Sequence, residues 1–167
     1  MSPTQVSHPS LVDDVKAALS GTGLLPRRLE IEITETALLT DSSQVKRGLD
    51  QLKSLGVRLT MDDFGTGYSS LSHLASYPLD GLKIEKGFIA GFATRSENAQ
   101  IISAMVELAK ALNRCSTVEG IETYEQMRAA QMLGASFGQG VFFGGPLKAA
   151  IVPSVLSQPR EQIVVVQ

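Results

Sequence analysis

Residues 57–63 read Val57-Arg58-Leu59-Thr60-Met61-Asp62-Asp63, a short predicted strand over 57–61 that is followed directly by two acidic residues. Four more strands are predicted over 29–35, 81–84, 115–118 and 135–139, and each has charged or amide side chains at its end or just after it. In residues 29–35, apolar and polar residues alternate with the period of a strand. The choice of fold depends on where these five strand ends lie relative to one another.

Predicted helices lie between these strands. In the first, predicted over 10–19, Leu11, Val15 and Leu19 recur every four residues and Ser10 is the predicted N-cap. The others are predicted over 41–55, with Asp41 or Ser42 as N-cap, and over 68–75, 96–112, 124–133 and 147–156. Strand and helix thus alternate five times after one initial helix, which predicts parallel strands joined by right-handed crossovers.

Two parallel architectures fit this alternation, an open doubly wound sheet and part of an eight-stranded barrel. The length of 167 residues favours the open sheet, because a full barrel usually needs about 200 residues or more. The placement of the charged residues favours the barrel, whose strands all end at one mouth. We therefore predict an α/β fold, an incomplete TIM-type barrel with about five parallel strands and flanking helices.

The predicted mouth is rich in acidic residues. Hard oxygen ligands of this kind suit Mg²⁺, Mn²⁺ or Ca²⁺ rather than zinc, and a cation is needed to relieve the repulsion between neighbouring carboxylates. A pair of such ions would suit phosphodiester hydrolysis, because the ions activate a water and hold the phosphate oxygens. The polar residues at the strand ends are Glu32, Glu35, Asp62, Asp63, Lys83, Glu85, Glu119, Glu122 and Gln139.

Each of these residues also has an ordinary structural explanation. Asp63 before Phe64 and Gly65 fits simple turn chemistry, and Lys83 alone fits a surface lysine whose stem covers apolar surface. Five consecutive strands that all end on such residues are much harder to explain in this way. We therefore predict one joint site.

The composition narrows the class of protein. The net charge of −2 argues against a broad nucleic-acid-binding face. The single Cys115 excludes an intramolecular disulfide and is typical of a reducing, cytoplasmic setting. No apolar run approaches the roughly 18 residues that a membrane helix needs. We predict a cytoplasmic protein with no membrane segment in this chain and no DNA or RNA polymer as a partner.

Five segments match a known family in order and spacing, from about residue 2 to residue 147. They are residues 32–35 (Glu-Ile-Thr-Glu), 62–71 (Asp-Asp-Phe-Gly-Thr-Gly-Tyr-Ser-Ser-Leu), 82–84 (Leu-Lys-Ile), 119–123 (Glu-Gly-Ile-Glu-Thr) and 138–140 (Gly-Gln-Gly). With them the chain resembles the EAL domain, the bacterial phosphodiesterase of cyclic di-GMP. The segment that starts at Asp62 is highly specific. The resemblance implies a bacterial signalling protein that opens cyclic di-GMP to the linear dinucleotide.

The resemblance also implies a role for each matching residue at the metal centre. Glu32, Asp62 and Asp63 would bind two ions of Mg²⁺ or Mn²⁺, with Asp62 shared between them. Lys83 would touch the water or phosphate at this centre. Glu119 would act as general base or orient the attacking water.

Other matching residues would support the site. By the resemblance, Glu35 would anchor the loop that follows the aspartate pair, and Glu122 and Gln139 would support the metal centre. The loop itself would contact the ligand or couple the site to a dimer interface. Its residues are Phe64, Gly65, Thr66, Gly67, Tyr68 and Ser69.

The chain departs from the family in several places. The Glu-Ala-Leu motif that names the family does not occur in it, and that glutamate and an asparagine that would precede Ser2 are metal ligands in the family. Glu85 stands where aspartate is usual, and Val118 and Val141 replace the customary alanine and tyrosine. We predict a truncated domain that hydrolyses little or no cyclic di-GMP alone and forms a homodimer or a strand-swapped oligomer.

Two hypotheses about function stay open, so the sequence does not decide whether the chain is an enzyme. The first is part of a cyclic di-GMP phosphodiesterase. The second is a non-catalytic module that binds cyclic di-GMP or a protein partner and signals through a dimer surface. Residues 1–157 are predicted to form one partial barrel domain. The tail, residues 158–167, includes Ile163-Val164-Val165-Val166, which either pairs as an edge strand or hangs free.

Overall fold

The chain is described by a computed structural model over residues 1–39, 43–67, 71–91 and 96–157. Within these ranges, five parallel strands form one sheet in sequence order. This confirms the predicted α/β fold, and the unbroken order is that of a barrel segment, because a doubly wound sheet reverses its strand order. The strands are β1 (Glu30–Thr34), β2 (Arg58–Phe64), β3 (Gly81–Ile84), β4 (Cys115–Val118) and β5 (Phe137–Gly138).

Helices flank this sheet. None of those in the described residues is long and apolar enough to cross a membrane. Two short 3-10 helices cover Pro26–Arg28 and Ala149–Ile151. The α-helices are α1 (Pro3–Val6), α2 (Leu11–Thr22), α3 (Glu35–Leu39), α4 (Ser43–Ser54), α5 (Leu71–Ser76), α6 (Lys86–Ala90), α7 (Ser96–Ala111), α8 (Tyr124–Met132) and α9 (Val152–Leu156).

The sheet has one apolar and one polar face. Ile33, Met61 and Leu82 lie side by side on three neighbouring strands and are almost fully buried in the main core. Helices α2, α4 and α7 contribute apolar side chains to the same core. Because successive side chains of a strand point to opposite faces, Glu32 and Lys83 project from the other face, where they pair with each other.

Strand β2 differs from its predicted bounds. The sequence pattern ends this strand at Met61, but the structure continues it through Asp62 and Asp63 to Phe64. The register against β3 shifts between Met61 and Phe64, and Asp63 has a positive φ of 57°. The strand therefore contains a bulge at the aspartate pair, a local device that hydrophobic periodicity does not reveal.

Short helices at the strand ends were missed. Glu35 begins α3 directly after β1, and α6 follows β3 with the Glu85 carboxylate accepting the backbone N–H of Gly87 at 2.7 Å. Each has only five residues, too few to show a helical period.

Other predicted bounds were also wrong in part. The helix predicted over 10–19 is α2, which ends at Thr22, and the next residue, Gly23, has a φ of 68°. The Ser10 hydroxyl donates to the Asp14 carboxylate instead of capping the backbone. Strand β5 is only two residues long, and the predicted helix over 147–156 is reduced to a 3-10 turn and α9. Cys115, the first residue of β4, is half-buried.

Several predictions fall outside the described residues. They are the N-cap of α4 at Asp41 or Ser42, the loop residues Tyr68 and Ser69, and the tail over 158–167. They stay predictions, as does the domain boundary at residue 157.

Candidate functional site

Four consecutive strands, β1 to β4, bring charged side chains together at their C-terminal ends. The Lys83 ammonium on β3 lies 2.7 Å from Glu32 Oε1 on β1, 2.7 Å from Glu119 Oε1 after β4 and 3.5 Å from Asp62 Oδ1 on β2. The Lys83 side chain is only 5% exposed. Residues separated by up to 87 positions in the sequence, from Glu32 to Glu119, therefore share one charged cluster.

The bulge in β2 directs two adjacent aspartates to this cluster. In a regular strand, Asp62 and Asp63 would point to opposite faces. Here Asp63 takes the left-handed conformation, and carboxylate oxygens of Asp62, Asp63 and Glu119 all lie within 4.8 Å of one another. Aspartate tolerates this conformation better than most residues because its short side chain can bond locally.

These three carboxylates fit a divalent cation. Three oxygen ligands within this distance offer the hard donor set that Mg²⁺, Mn²⁺ and Ca²⁺ prefer. Glu32 is not among the three, and its carboxylate pairs with Lys83 at 2.7 Å. The metal-ligand role of Glu32 stays a prediction from resemblance.

Burial and pairing shift the acidities in this cluster. Burial alone would lower the pKa of Lys83, but its hydrogen bonds with Glu119 and Glu32 outweigh that effect and raise the pKa above its ordinary value. Burial raises the pKa of Glu119, although Lys83 pulls it in the opposite direction. A half-buried carboxylate with a raised pKa takes up a proton more readily than an exposed one, which suits a general base.

Glu35 lies beneath the loop that follows the aspartates. It is 2% exposed, and its Oε2 accepts the backbone N–H groups of Gly65 at 3.1 Å and Gly67 at 3.2 Å. A Cβ atom on Gly67 would lie 2.7 Å from Glu35 Oε1, and one on Gly65 would meet Met105. The loop therefore depends on two glycines and one buried carboxylate.

The other described residues of this loop have separate contacts. Phe64 is packed in the main apolar core, so its side chain is not available to a ligand in this arrangement. The Thr66 hydroxyl donates to the backbone carbonyl of Asp63 at 2.9 Å, which ties the loop back to the bulge.

Glu122 and Gln139 are on the β4–β5 side of the site, and both are exposed. Among the described residues, no hydrogen bond or ion pair joins either side chain to the Lys83 cluster. Their backbones hold the local structure: Gln139 O accepts the N–H of Ile121 at 3.0 Å, and Glu122 N donates to Gln126 Oε1 at 2.7 Å.

Sequence reasoning missed the carboxylate partners of Lys83. The structure shows Lys83 bonded to the carboxylates of Glu32 and Glu119 and near that of Asp62, and its contact with water or phosphate stays a prediction. The available signal was a lysine inside a four-residue strand whose other members are apolar or glycine. A buried lysine needs anionic partners.

Comparison with known proteins gives a consistent result. The family model described as "EAL domain" matches residues 1–146. Over 149 residues the chain is 41% identical to the bifunctional diguanylate cyclase/cyclic di-GMP phosphodiesterase MucR of Pseudomonas aeruginosa, covering 89% of this chain and 22% of MucR. It is 37% identical over 157 residues to the cyclic di-GMP phosphodiesterase NbdA of the same organism, covering 94% of this chain and 20% of NbdA. The chain thus spans about a fifth of the length of these relatives.

Solved structures agree with this result. The MucR phosphodiesterase in complex with c-di-GMP aligns with a TM-score of 0.86 and 40% identity, over 91% of this chain and 62% of that one. Klebsiella pneumoniae BlrP1, in a calcium/c-di-GMP complex, aligns with a TM-score of 0.80 and 31% identity, over 87% of this chain and 37% of that one. A second BlrP1 structure is a manganese/c-di-GMP complex. The two BlrP1 structures therefore contain the cyclic dinucleotide together with calcium or manganese.

Proposed function

The chain belongs to the EAL domain family, homologous to cyclic di-GMP phosphodiesterases, and we propose that its strand-end cluster binds cyclic di-GMP and hydrolyses one of its two phosphodiester bonds. One observation carries the proposal: Asp62, Asp63 and Glu119 converge beside Lys83 at the end of the sheet where barrel enzymes keep their active sites. The reaction would yield the linear dinucleotide.

The carboxylates would hold the metal. Asp62, Asp63 and Glu119 would bind Mg²⁺ or Mn²⁺ at this edge, and a second ion would share Asp62, as in the sequence-based prediction. Bound there, a divalent cation would lower the pKa of a water molecule and neutralise the charge on the phosphate oxygens.

Glu119 and Lys83 would act on the reacting groups. Glu119 is half-buried, and one oxygen of its carboxylate would bind the metal while the other would accept the proton that the attacking water loses. Lys83 is protonated at neutral pH, since its pairing with Glu119 and Glu32 outweighs the burial that would lower its pKa, so it would offset negative charge that develops on the phosphate. Glu35 would act through the backbone, since it fixes the loop that follows Asp63.

A second candidate function is a module that binds cyclic di-GMP without cleaving it. It is favoured by the contacts of Lys83, which already pairs with the carboxylates of Glu32 and Glu119 at 2.7 Å. The low turnover predicted from the sequence belongs with this candidate.

We also propose a homodimer or a strand-swapped oligomer. Within the described residues, β1 and β5 are the edge strands of the sheet, and unpaired edge strands favour association with another chain. Light scattering after size-exclusion chromatography gives the mass directly; a monomer at all concentrations contradicts this assembly.

One experiment separates hydrolysis of cyclic di-GMP from binding without cleavage. The purified chain is incubated with cyclic di-GMP and Mg²⁺ or Mn²⁺, the linear dinucleotide is measured by chromatography, and binding is measured by calorimetry. Product that forms only with metal, and that is lost with Glu119→Gln, supports hydrolysis at this site. Binding without product supports the non-catalytic module. If the chain shows no binding and forms no product, both proposed functions are refuted.

A further inference from the structure

The Lys83 ammonium is surrounded by carboxylates even before any phosphate is bound. This buried ammonium is 2.7 Å from carboxylate oxygens of both Glu32 and Glu119, and Asp62 is 3.5 Å away. These contacts satisfy the ammonium without any ligand. The side chain is therefore already committed to the carboxylates of the site.

Two of these partners are also candidate metal ligands. Asp62 and Glu119 belong to the trio whose oxygens lie within 4.8 Å of one another, and both carboxylates are within 3.5 Å of the Lys83 ammonium. A metal ligand oxygen lies about 2.0–2.6 Å from Mg²⁺ or Ca²⁺. A divalent cation and the ammonium would therefore be close neighbours that compete for the same negative charge, in a place where burial weakens solvent screening.

We propose that Lys83 is an internal counter-cation that competes with the divalent metal for Asp62 and Glu119 and thereby lowers the metal affinity of the site. The proposal rests on the proposed metal site and adds a control of its occupancy. When metal is absent, Lys83 relieves the repulsion among the carboxylates. When metal binds, part of that attraction is lost and two cations repel each other.

Both effects act in the same direction when the charge of Lys83 is removed. The metal-free cluster loses its internal cation, and the metal-bound cluster loses a repulsion. Lys83→Met, which keeps an unbranched stem without the charge, is therefore expected to bind metal more tightly. If Lys83 served only to hold the carboxylates in position for the metal, the same substitution would weaken metal binding.

The test measures Mn²⁺ binding and needs no turnover. The full chain is stripped with a chelator and titrated with Mn²⁺ by calorimetry and by the electron paramagnetic resonance signal of free Mn²⁺. We expect Lys83→Met to lower the Kd for Mn²⁺ about tenfold or more, as for the loss of a neighbouring like charge. Lys83→Arg keeps the charge and is expected to stay near the wild-type value.

Lys53→Met is the matched control. Lys53 also pairs with a carboxylate at 2.7 Å, but that partner is Asp80 at the other end of the sheet, so its loss should leave the Kd for Mn²⁺ unchanged. Thermal unfolding of Lys83→Gln, with and without Mn²⁺, gives a second readout that is independent of the titrations. The rise in Tm caused by saturating Mn²⁺ is expected to be larger in Lys83→Gln than in the wild type.

The outcomes separate the two proposals. Suppose that the wild type binds Mn²⁺ as tightly as Lys83→Met or more tightly, and that Mn²⁺ raises the Tm of Lys83→Gln no more than that of the wild type. This result overturns the role of Lys83 and leaves the metal site standing. Absence of Mn²⁺ binding in the wild type and in both neutral variants overturns the metal site and the role of Lys83 together.

Discussion

The two ends of the same sheet each hold a paired lysine, but their charges are balanced differently. At the N-terminal ends of the strands, Lys53 contacts both oxygens of Asp80 at 2.7 and 2.8 Å. Asp80 Oδ2 also accepts the backbone N–H of Leu59 at 2.8 Å. Arg114 attracts Asp80 as well, so this carboxylate is matched by cations and also accepts a backbone N–H.

At the C-terminal ends, one cation meets an excess of anions. Lys83 pairs with Glu32, Asp62 and Glu119, and Asp63 adds a fourth carboxylate nearby. Such an excess is costly to hold together in a folded protein unless another cation joins it. The comparison teaches that the balanced end serves the fold, whereas the unbalanced end has charge to spare for a ligand.

The largest expected effect is at the unbalanced end. Glu119→Gln removes the proposed base and is expected to lower the rate of linear dinucleotide formation by about 10²- to 10⁴-fold. Its stability should change little, because the neutral amide removes a charge that burial disfavours. The rate is measured by chromatography of the product, and the free energy of unfolding by urea titration.

Glu125→Gln is the matched control, because Glu125 is an exposed glutamate in the first turn of α8. It should leave the rate unchanged. A Glu119→Gln variant that retains the wild-type rate would remove Glu119 from the chemistry.

At the balanced end, the expected effect is on stability. Asp80→Ala leaves Lys53 and the N–H of Leu59 without their carboxylate partner, so it should lower the free energy of unfolding by about 1–3 kcal/mol. The Kd for Mn²⁺ should not change. Urea denaturation and Mn²⁺ calorimetry on the same preparation check both statements. If Asp80→Ala altered metal affinity instead of stability, the division of roles between the two ends would be wrong.

The sequence was sufficient for the fold and for most residues of the unbalanced end. Alternating strands and helices fix the parallel order, and the bounds of β3 and β4 were predicted correctly. Polar residues after apolar strands indicated Asp62 and Glu119, because parallel strands end on the same side.

The remaining features depend on local geometry that periodicity cannot express. The bulge at Asp62 and Asp63 arises from one residue in a left-handed conformation. The pairing of Lys83 with three carboxylates depends on the register of four strands. The balanced pair of Lys53 and Asp80 was not predicted, because each residue alone resembles an ordinary surface charge.

The pH dependence of stability should differ when Lys83 is removed. The pKa of Lys83 is higher in the folded than in the unfolded chain, where its ordinary value is 10.5. Its contribution to stability is therefore fully present below pH 10.5 and declines as the pH rises from there toward the folded value. Urea unfolding of the wild type and of Lys83→Met at pH 8 and pH 11 measures this. The stability difference between them should shrink at the higher pH, and a constant difference contradicts the assigned direction of the shift.

The smallest expected effect concerns two residues with positive φ, one at each end of the sheet. Asp63 lies at the unbalanced end with a φ of 57°, and Asn113, just before β4, lies at the other with a φ of 54°. Alanine at either position should lower stability by about 1 kcal/mol, because its Cβ atom disfavours the left-handed conformation. Glycine avoids that cost, so Asp63→Gly and Asn113→Gly should unfold at nearly the wild-type urea concentration. Only Asp63→Gly should weaken Mn²⁺ binding, since it removes a carboxylate of the metal trio. Equal Mn²⁺ affinity in the two glycine variants would mean that the bulge in β2 shapes the backbone without presenting a ligand.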